Sequence, residues 1–133
     1  MNLRIDHLGI AVPNLAAALE AYAALGFKAD KAHDVPSEKL KAAFLPIGES
    51  SLELLEPTDA TSSVARFLQK RSGVHHVCVL VDDLGKTLAL LRSLGVRLID
   101  ETPRVGAGGS RVAFIHPRAA CGVLFELKQA PSE

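Results

Sequence analysis

The feature that most constrains the fold is that the chain is written twice. "IDHLGIAV" at 5 to 12 lies on "VHHVCVLV" at 74 to 81 with an offset of 69, which sets His7 on His76 and Val12 on Val81. The same offset carries Leu15 onto Leu84, Leu19 onto Leu88, Leu25 onto Leu94 and Gly26 onto Gly95. "AFLP" at 43 to 46 returns as "AFIH" at 113 to 116 with an offset of 70, and "LEL" at 52 to 54 as "FEL" at 125 to 127 with an offset of 73. The drift marks a longer hairpin loop in the second half, which loops tolerate. A register kept through strand, helix and helix-ending glycine is a duplication, and both halves must build the same unit.

Each half predicts a strand, a helix and three more strands. The first strand ends at a capping signal, Pro13-Asn14 or Asp82-Asp83, where a side-chain oxygen can take the first helical N–H groups. Apolar residues three and four apart follow (Leu15, Ala18, Leu19, Tyr22; Leu84, Leu88, Leu91), up to Gly26 or Gly95, where a left-handed residue closes a helix. The remaining strands are expected at Phe27–His33, Leu40–Ile47 and Ser51–Glu56, then at Val96–Asp100, Ser110–His116 and Gly122–Lys128. The expectation is an α+β single domain over 1–133, made of two tandem βαβββ modules at about 1–60 and 72–133. "TSSVARFLQKRSG" predicts a short joining helix at about 61–71.

The repeat changes the weight of four polar residues. Glu53 sits between Leu52 and Leu54 in an apolar strand, although glutamate is depleted in strands and a lone buried carboxylate is costly. Its twin is Glu126, and His7 and His76 are twins on the first strands. Two imidazoles and two carboxylates converging on one point would suit Co²⁺, Ni²⁺, Mn²⁺, Fe²⁺ or Zn²⁺, and the ion would offset the burial of Glu53 and Glu126. Small residues, Gly9 and Ala11, share the face of His7 and leave space beside it. Cys78 shares the face of His76 and is expected to pack; His75 points the other way; His33 and His116 have no twin and are expected at the surface or in loops. "RVGAGGSR" at 104 to 111 does not lead from a strand into a helix, so it is no dinucleotide fingerprint. It is either a turn or an anion contact through the N–H groups of Gly108 and Gly109 with Ser110 and Arg111.

Bulk properties remove other classes. Lysine plus arginine and aspartate plus glutamate number 15 each, so no net field draws the chain to nucleic acid or to a membrane surface. No apolar run reaches a membrane span, and no signal or transit peptide is expected before the first strand. The two cysteines do not suggest a disulfide framework, and a cytoplasmic setting is the expectation. There is no Ser-His-Asp arrangement, no CxxC pair and no nucleotide or flavin motif.

The repeated module with His and Glu on its first and last strands resembles the vicinal oxygen chelate superfamily, which includes glyoxalase I. Within it the chain is most similar to the methylmalonyl-CoA epimerase family over nearly its whole length. The stretches that carry this are "IDHLGIAVPNL", "AFLPIGESSLELLEPT", "SSVARFLQKRSGVHHVCVLVDDL", "GVRLIDETPRVGAGGSRVAFIHP" and "GVLFELKQ". The resemblance implies an eight-stranded half-barrel around a divalent metal, Co²⁺ foremost with Ni²⁺, Mn²⁺ or Zn²⁺ as alternatives. Ligands would be His7, His76, Glu126 and Glu53, the last where some relatives carry glutamine. It implies interconversion of (2R)- and (2S)-methylmalonyl-CoA in propionate metabolism by proton abstraction and return through a metal-held enediolate, with Glu126 doubling as a base. The expected partners are an acyl-CoA and a second copy of the chain in a homodimer.

One departure stands out. Some relatives have a glutamate, proposed as the other base, where this chain has Ala42; Glu38, Lys39, Lys41 or water are the candidates in its place. The rival readings are a glyoxalase I acting on a glutathione hemithioacetal, a non-catalytic small-molecule binding protein, and an extradiol-type dioxygenase.

Overall fold

A computed structural model of the chain describes residues 2–132, and among them are eight strands and three α-helices. In order they are β1 (Arg4–Ala11), α1 (Leu15–Ala24), β2 (His33–Val35), β3 (Leu40–Ile47), β4 (Ser50–Pro57), α2 (Ser63–Leu68), β5 (Gly73–Val81), α3 (Leu84–Ser93), β6 (Arg104–Val105), β7 (Arg111–Ile115) and β8 (Phe125–Gln129). The chain divides into two compact units, one of His7–His75 and one of Met1–Asp6 with His76–Glu133. They are called here the first and the second unit.

In the first unit the strand order is β2-β3-β4-β1. β1 runs parallel to β4, with Gly9 opposite Glu53, and β3 is antiparallel to both β4 and β2. The second unit has the same order, β6-β7-β8-β5, with β5 parallel to β8 and the rest antiparallel. Parallel neighbours need a crossover, and α1 and α3 lie within those crossovers.

Strand alternation sorts each unit into two faces. Ile10, Ala43, Leu45 and Leu54 are buried with Val12 and with Leu15 of α1, and Leu19, Tyr22 and Phe27 pack on them. In the second unit Val81, Ala113 and Leu127 are buried with Leu84 and Leu88 of α3. The apolar cores therefore occupy the helix-covered faces. The opposite faces carry His7 and Glu53 in one unit and His76 and Glu126 in the other, one residue out of phase with the core positions.

The helix ends are repeated as closely as the strands. Asn14 and Asp83 cap α1 and α3, their side chains accepting from the N–H of Ala17 and Lys86 at 2.9 Å. Glu56 Oε1 accepts from Leu15 N–H at 2.7 Å, and its twin Gln129 Oε1 from Leu84 N–H at 2.8 Å. Gly26 and Gly95 follow the helices with φ of 101° and 78°. Asn14→Ala and Asp83→Ala are each expected to lower stability by about 1 kcal/mol, read as matched falls in the urea midpoint. Clearly unequal losses would mean that the two ends are held by different means.

Two expected strands are displaced. Phe27–His33 and Val96–Asp100 do not form as such; β2 starts at His33 and β6 at Arg104, and 96–100 keeps only an isolated bridge between Leu98 and Ile115. Phe27 and Val96 donate their N–H groups back to Tyr22 and Leu91, closing the helices. Further on, Ile99 and Asp100 both donate to Phe114 O, while Asp100 Oδ2 accepts from Phe114 N–H at 2.8 Å. A carboxylate has taken a ladder position, so regular pairing resumes only beyond Pro103. The first unit keeps the corresponding bond, Asp30 N–H to Phe44 O.

The glycine segment holds a 3₁₀ turn at Ala107–Gly109, and His116 ends β7 by accepting from Arg118 N–H at 3.1 Å at the head of a second such turn. Partial desolvation, then the charges of Arg97 and Arg118, hold the His116 imidazole below its usual pKa. That favours the neutral ring able to accept this bond.

Candidate functional site

β1 places His7 and β4 places Glu53 on one face of the first unit, since Gly9, two residues on from His7, faces Glu53 across the ladder. His7 Nε2 lies 3.6 Å from Glu53 Oε2. In the second unit β5 and β8 do the same, with Cys78, two residues on from His76, facing Glu126. His76 Nε2 lies 3.3 Å from Glu126 Oε1. All four side chains belong to residues no more than 9% exposed.

These separations are long for N–H···O hydrogen bonds, whose usual range is about 2.7–3.2 Å. They are close to what two ligands of one ion require. Ligand atoms about 2.0–2.2 Å from a metal and at right or tetrahedral angles to each other stand about 3–3.5 Å apart. Each unit thus presents one nitrogen and one carboxylate at ligand spacing, in the hard-to-borderline donor set that divalent first-row metals take.

Each pair is backed by the same aromatic residue. Phe44 stands opposite Glu53 in the ladder and meets the His7 ring edge-on at 6.3 Å. Phe114 stands opposite Glu126 and meets His76 edge-on at 5.9 Å. Such contacts fix the tilt of an imidazole. Each phenyl ring carries a further group. His33 stacks on Phe44 at 5.4 Å with 14° between the planes, and Arg104 Cζ lies 5.1 Å from the centroid of Phe114. His33 faces Ala42 across β2–β3, and Arg104 faces Val112 across β6–β7. Ala42 and Val112 are themselves repeat partners, so His33 and Arg104 hold equivalent places.

Neither His33 nor Arg104 was singled out from the sequence, where His33 was expected at the surface. The repeated "AF" at 43–44 and 113–114 was the available signal, because it marks where a stacking platform recurs. Cys78 is buried and shares the face of His76, while Cys121 is exposed, and the two form no disulfide. His75 meets the ring of Phe67 edge-on at 5.1 Å, away from the His76 face.

The glycine loop is a tight turn. Gly106 donates to Ser110 O at 2.7 Å, Gly109 donates to Gly106 O at 3.2 Å, and Gly108 and Gly109 have φ of 70° and 79°. A Cβ on Gly106 would meet Val112 Cγ2 at 2.9 Å, so the backbone passes where only glycine fits. The Gly109 N–H is therefore engaged inside the turn. Arg111 opens β7 exposed, and alternation sets it with Ala113 and Ile115 on the helix-covered side, not on the Glu126 side. The Glu126 side carries Arg104, held also by Asp100 Oδ2 at 3.4 Å, and Lys128, whose Nζ donates to Asp6 Oδ2 at 3.1 Å.

No helix among the described residues is long and apolar enough to cross a membrane.

Residues 6–114 match the family model of the Glyoxalase/Bleomycin resistance protein/Dioxygenase superfamily. The chain is 37% identical over 130 residues to human mitochondrial methylmalonyl-CoA epimerase, covering 96% of this chain and 74% of that protein. It is 35% identical to the ethylmalonyl-CoA/methylmalonyl-CoA epimerase of Cereibacter sphaeroides, over 95% of this chain and 97% of that one. A solved methylmalonyl-CoA epimerase in complex with methylmalonyl-CoA and NH4+ superposes with a TM-score of 0.91 at 38% identity, covering 99% and 97% of the two chains.

Proposed function

The chain belongs to the Glyoxalase/Bleomycin resistance protein/Dioxygenase superfamily, whose paired βαβββ fold it shares, and from that premise we propose that it is a methylmalonyl-CoA epimerase, interconverting the (2R) and (2S) thioesters. The observation that carries this is the pair of buried His–Glu couples at repeated positions, in a chain similar to epimerases along nearly its whole length.

His7, Glu53, His76 and Glu126 would hold one divalent ion, with Co²⁺ favoured and Ni²⁺, Mn²⁺ or Zn²⁺ as alternatives, the two modules acting as a single domain. When bound, such an ion supplies a Lewis acid for the thioester and carboxylate oxygens and so acidifies the hydrogen between them. The remaining work falls to the chain. In this reading Glu126 takes the proton of the reacting carbon. Phe44 and Phe114 keep the imidazoles fixed and exclude water from beside them. Arg104, on the Glu126 side, suits a substrate carboxylate or phosphate. The turn of Gly108, Gly109 and Ser110 at the end of the same strand pair would meet the CoA portion, whereas Arg111 starts from the helix-covered side of β7. The short outer strands β2 and β6 leave edges that a second copy could cover in a homodimer, and we infer a cytoplasmic setting from the unbridged cysteines.

The test is an exchange experiment. Metal-loaded protein given one pure methylmalonyl-CoA isomer in D₂O, with no added cofactor, is expected to form the other isomer and to place deuterium at the carbon between thioester and carboxylate. Formation of S-lactoylglutathione from the methylglyoxal–glutathione adduct, with methylmalonyl-CoA untouched, would move the assignment to a glyoxalase. Activity on neither would leave a binding protein.

A further inference from the structure

Phe44 and Phe114 meet the two candidate imidazoles in the same way, but the chain holds the two rings differently. Phe44 O accepts from Asp30 N–H at 2.8 Å, and among the described residues no carboxylate takes the Phe44 N–H. Phe114 O accepts from both Ile99 and Asp100 N–H, at 3.0 and 3.2 Å, and Phe114 N–H donates to Asp100 Oδ2 at 2.8 Å. Asp30 and Asp100 are repeat partners at the offset of 70, so the carboxylate bond belongs to the second half only. We propose that Asp100 is a positioning residue for His76 and Glu126, acting through Phe114, a reading that rests on the metal site proposed above.

The chain of contacts is short and lies wholly within the second unit. Phe114 turns both backbone polar groups toward residues 99–100, so neither points at β8. Its pairing with Glu126 is therefore of the non-hydrogen-bonded kind, in which facing side chains come closest. The same ring meets His76 edge-on at 5.9 Å. The placing of one phenyl ring thus bears on both members of a couple whose ligand atoms stand 3.3 Å apart. Metal sites hold their ligand distances to within about 0.2 Å, so a small displacement of Phe114 matters.

A carboxylate suits position 100. An ionised oxygen takes a backbone N–H more strongly than a neutral one does. Arg104 Nε lies 3.4 Å from the same Oδ2, and Arg104 Cζ lies 5.1 Å from the centroid of the Phe114 ring. Asp100, the Phe114 backbone, the Phe114 ring and Arg104 therefore close a cycle that fixes the ring from its backbone and from its face. Regular pairing of 96–100 is given up for this, leaving only the bridge of Leu98 with Ile115. Such local departures from regular structure gather at functional sites.

The experiment compares wild-type protein with Asp100→Ala, Asp100→Asn and Asp30→Ala. The imidazole proton and nitrogen resonances of His7 and His76 are followed in metal-free protein, Co²⁺ affinity by titration, and the thermal midpoint in each case. Asp100→Ala is expected to shift and broaden the His76 resonances while those of His7 stay as in wild type. It should weaken Co²⁺ binding about tenfold, the low end of what losing a ligand's supporting partner costs. Asp100→Asn keeps an oxygen for the Phe114 N–H and should return the His76 resonances and most of the affinity. Asp30→Ala should match wild type in every readout.

A merely structural role for Asp100 would lower the midpoint while moving both histidines or neither, and either pattern overturns the proposal. So does Asp100→Asn behaving as Asp100→Ala, which would assign the effect to the lost charge beside Arg104. Wild-type protein that takes up no Co²⁺ would instead overturn the metal reading, and the His76 resonances would still decide whether Asp100 positions that ring.

Discussion

His7→Ala and His76→Ala, purified without chelator, are each expected to lose most of their divalent metal and with it at least 99% of epimerase activity. Wild-type protein should carry about one ion per chain and lose activity on chelation. Removing even a hydrogen-bond partner of a ligand weakens metal sites by about 10- to 100-fold, and loss of a ligand itself costs at least as much. The folded state should survive, because the buried cores lie on the opposite faces, against α1 and α3. The two variants should also resemble each other, since each removes the nitrogen from one of two equivalent His–Glu couples at 3.6 and 3.3 Å. Elemental analysis, circular dichroism and the isomerisation assay decide it. A double variant with unchanged metal content would sink the metal assignment.

How much of this could be read from the chain alone depends on range. The alternation of Leu52, Glu53 and Leu54 is local and legible in the sequence, and in the fold Leu54 joins the helix-covered core while Glu53 is buried on the other face. The caps at Asn14 and Asp83 were legible for the same reason, each bond spanning three residues. The edge strands were not. Whether 96–100 pairs regularly depends on the Asp100 carboxylate finding Phe114 N–H fourteen residues away, and β-rich segments such as "VRLID" look like strands whether or not that happens. The stacking of His33 on Phe44 and of Arg104 over Phe114 escaped for a further reason. Self-comparison finds like residues at like places, and here the two halves hold unlike residues at a like place. The repeat marked the platform and hid what stands on it.

Glu126→Gln and Glu53→Gln separate two roles that the repeat makes look identical. Both carboxylates are buried, both stand beside an imidazole, and both face a phenylalanine across the ladder. In the mechanism proposed above, only Glu126 also moves a proton. An amide keeps a donor oxygen for the ion but has no basicity, so Glu126→Gln should retain metal within several-fold while turnover falls by about 10²- to 10⁴-fold, the usual worth of a positioned acid/base. Glu53→Gln should keep turnover within about tenfold, since a neutral oxygen ligand replaces a charged one and no proton step is lost. Deuterium exchange sharpens the contrast. Glu126→Gln should abolish wash-in from the isomer whose proton it removes, whereas Glu53→Gln should leave exchange from both isomers. Equal losses of turnover in the two glutamine variants, at equal metal content, would show that the duplicated carboxylates are also chemically duplicated, and the assignment of the base to Glu126 would fall.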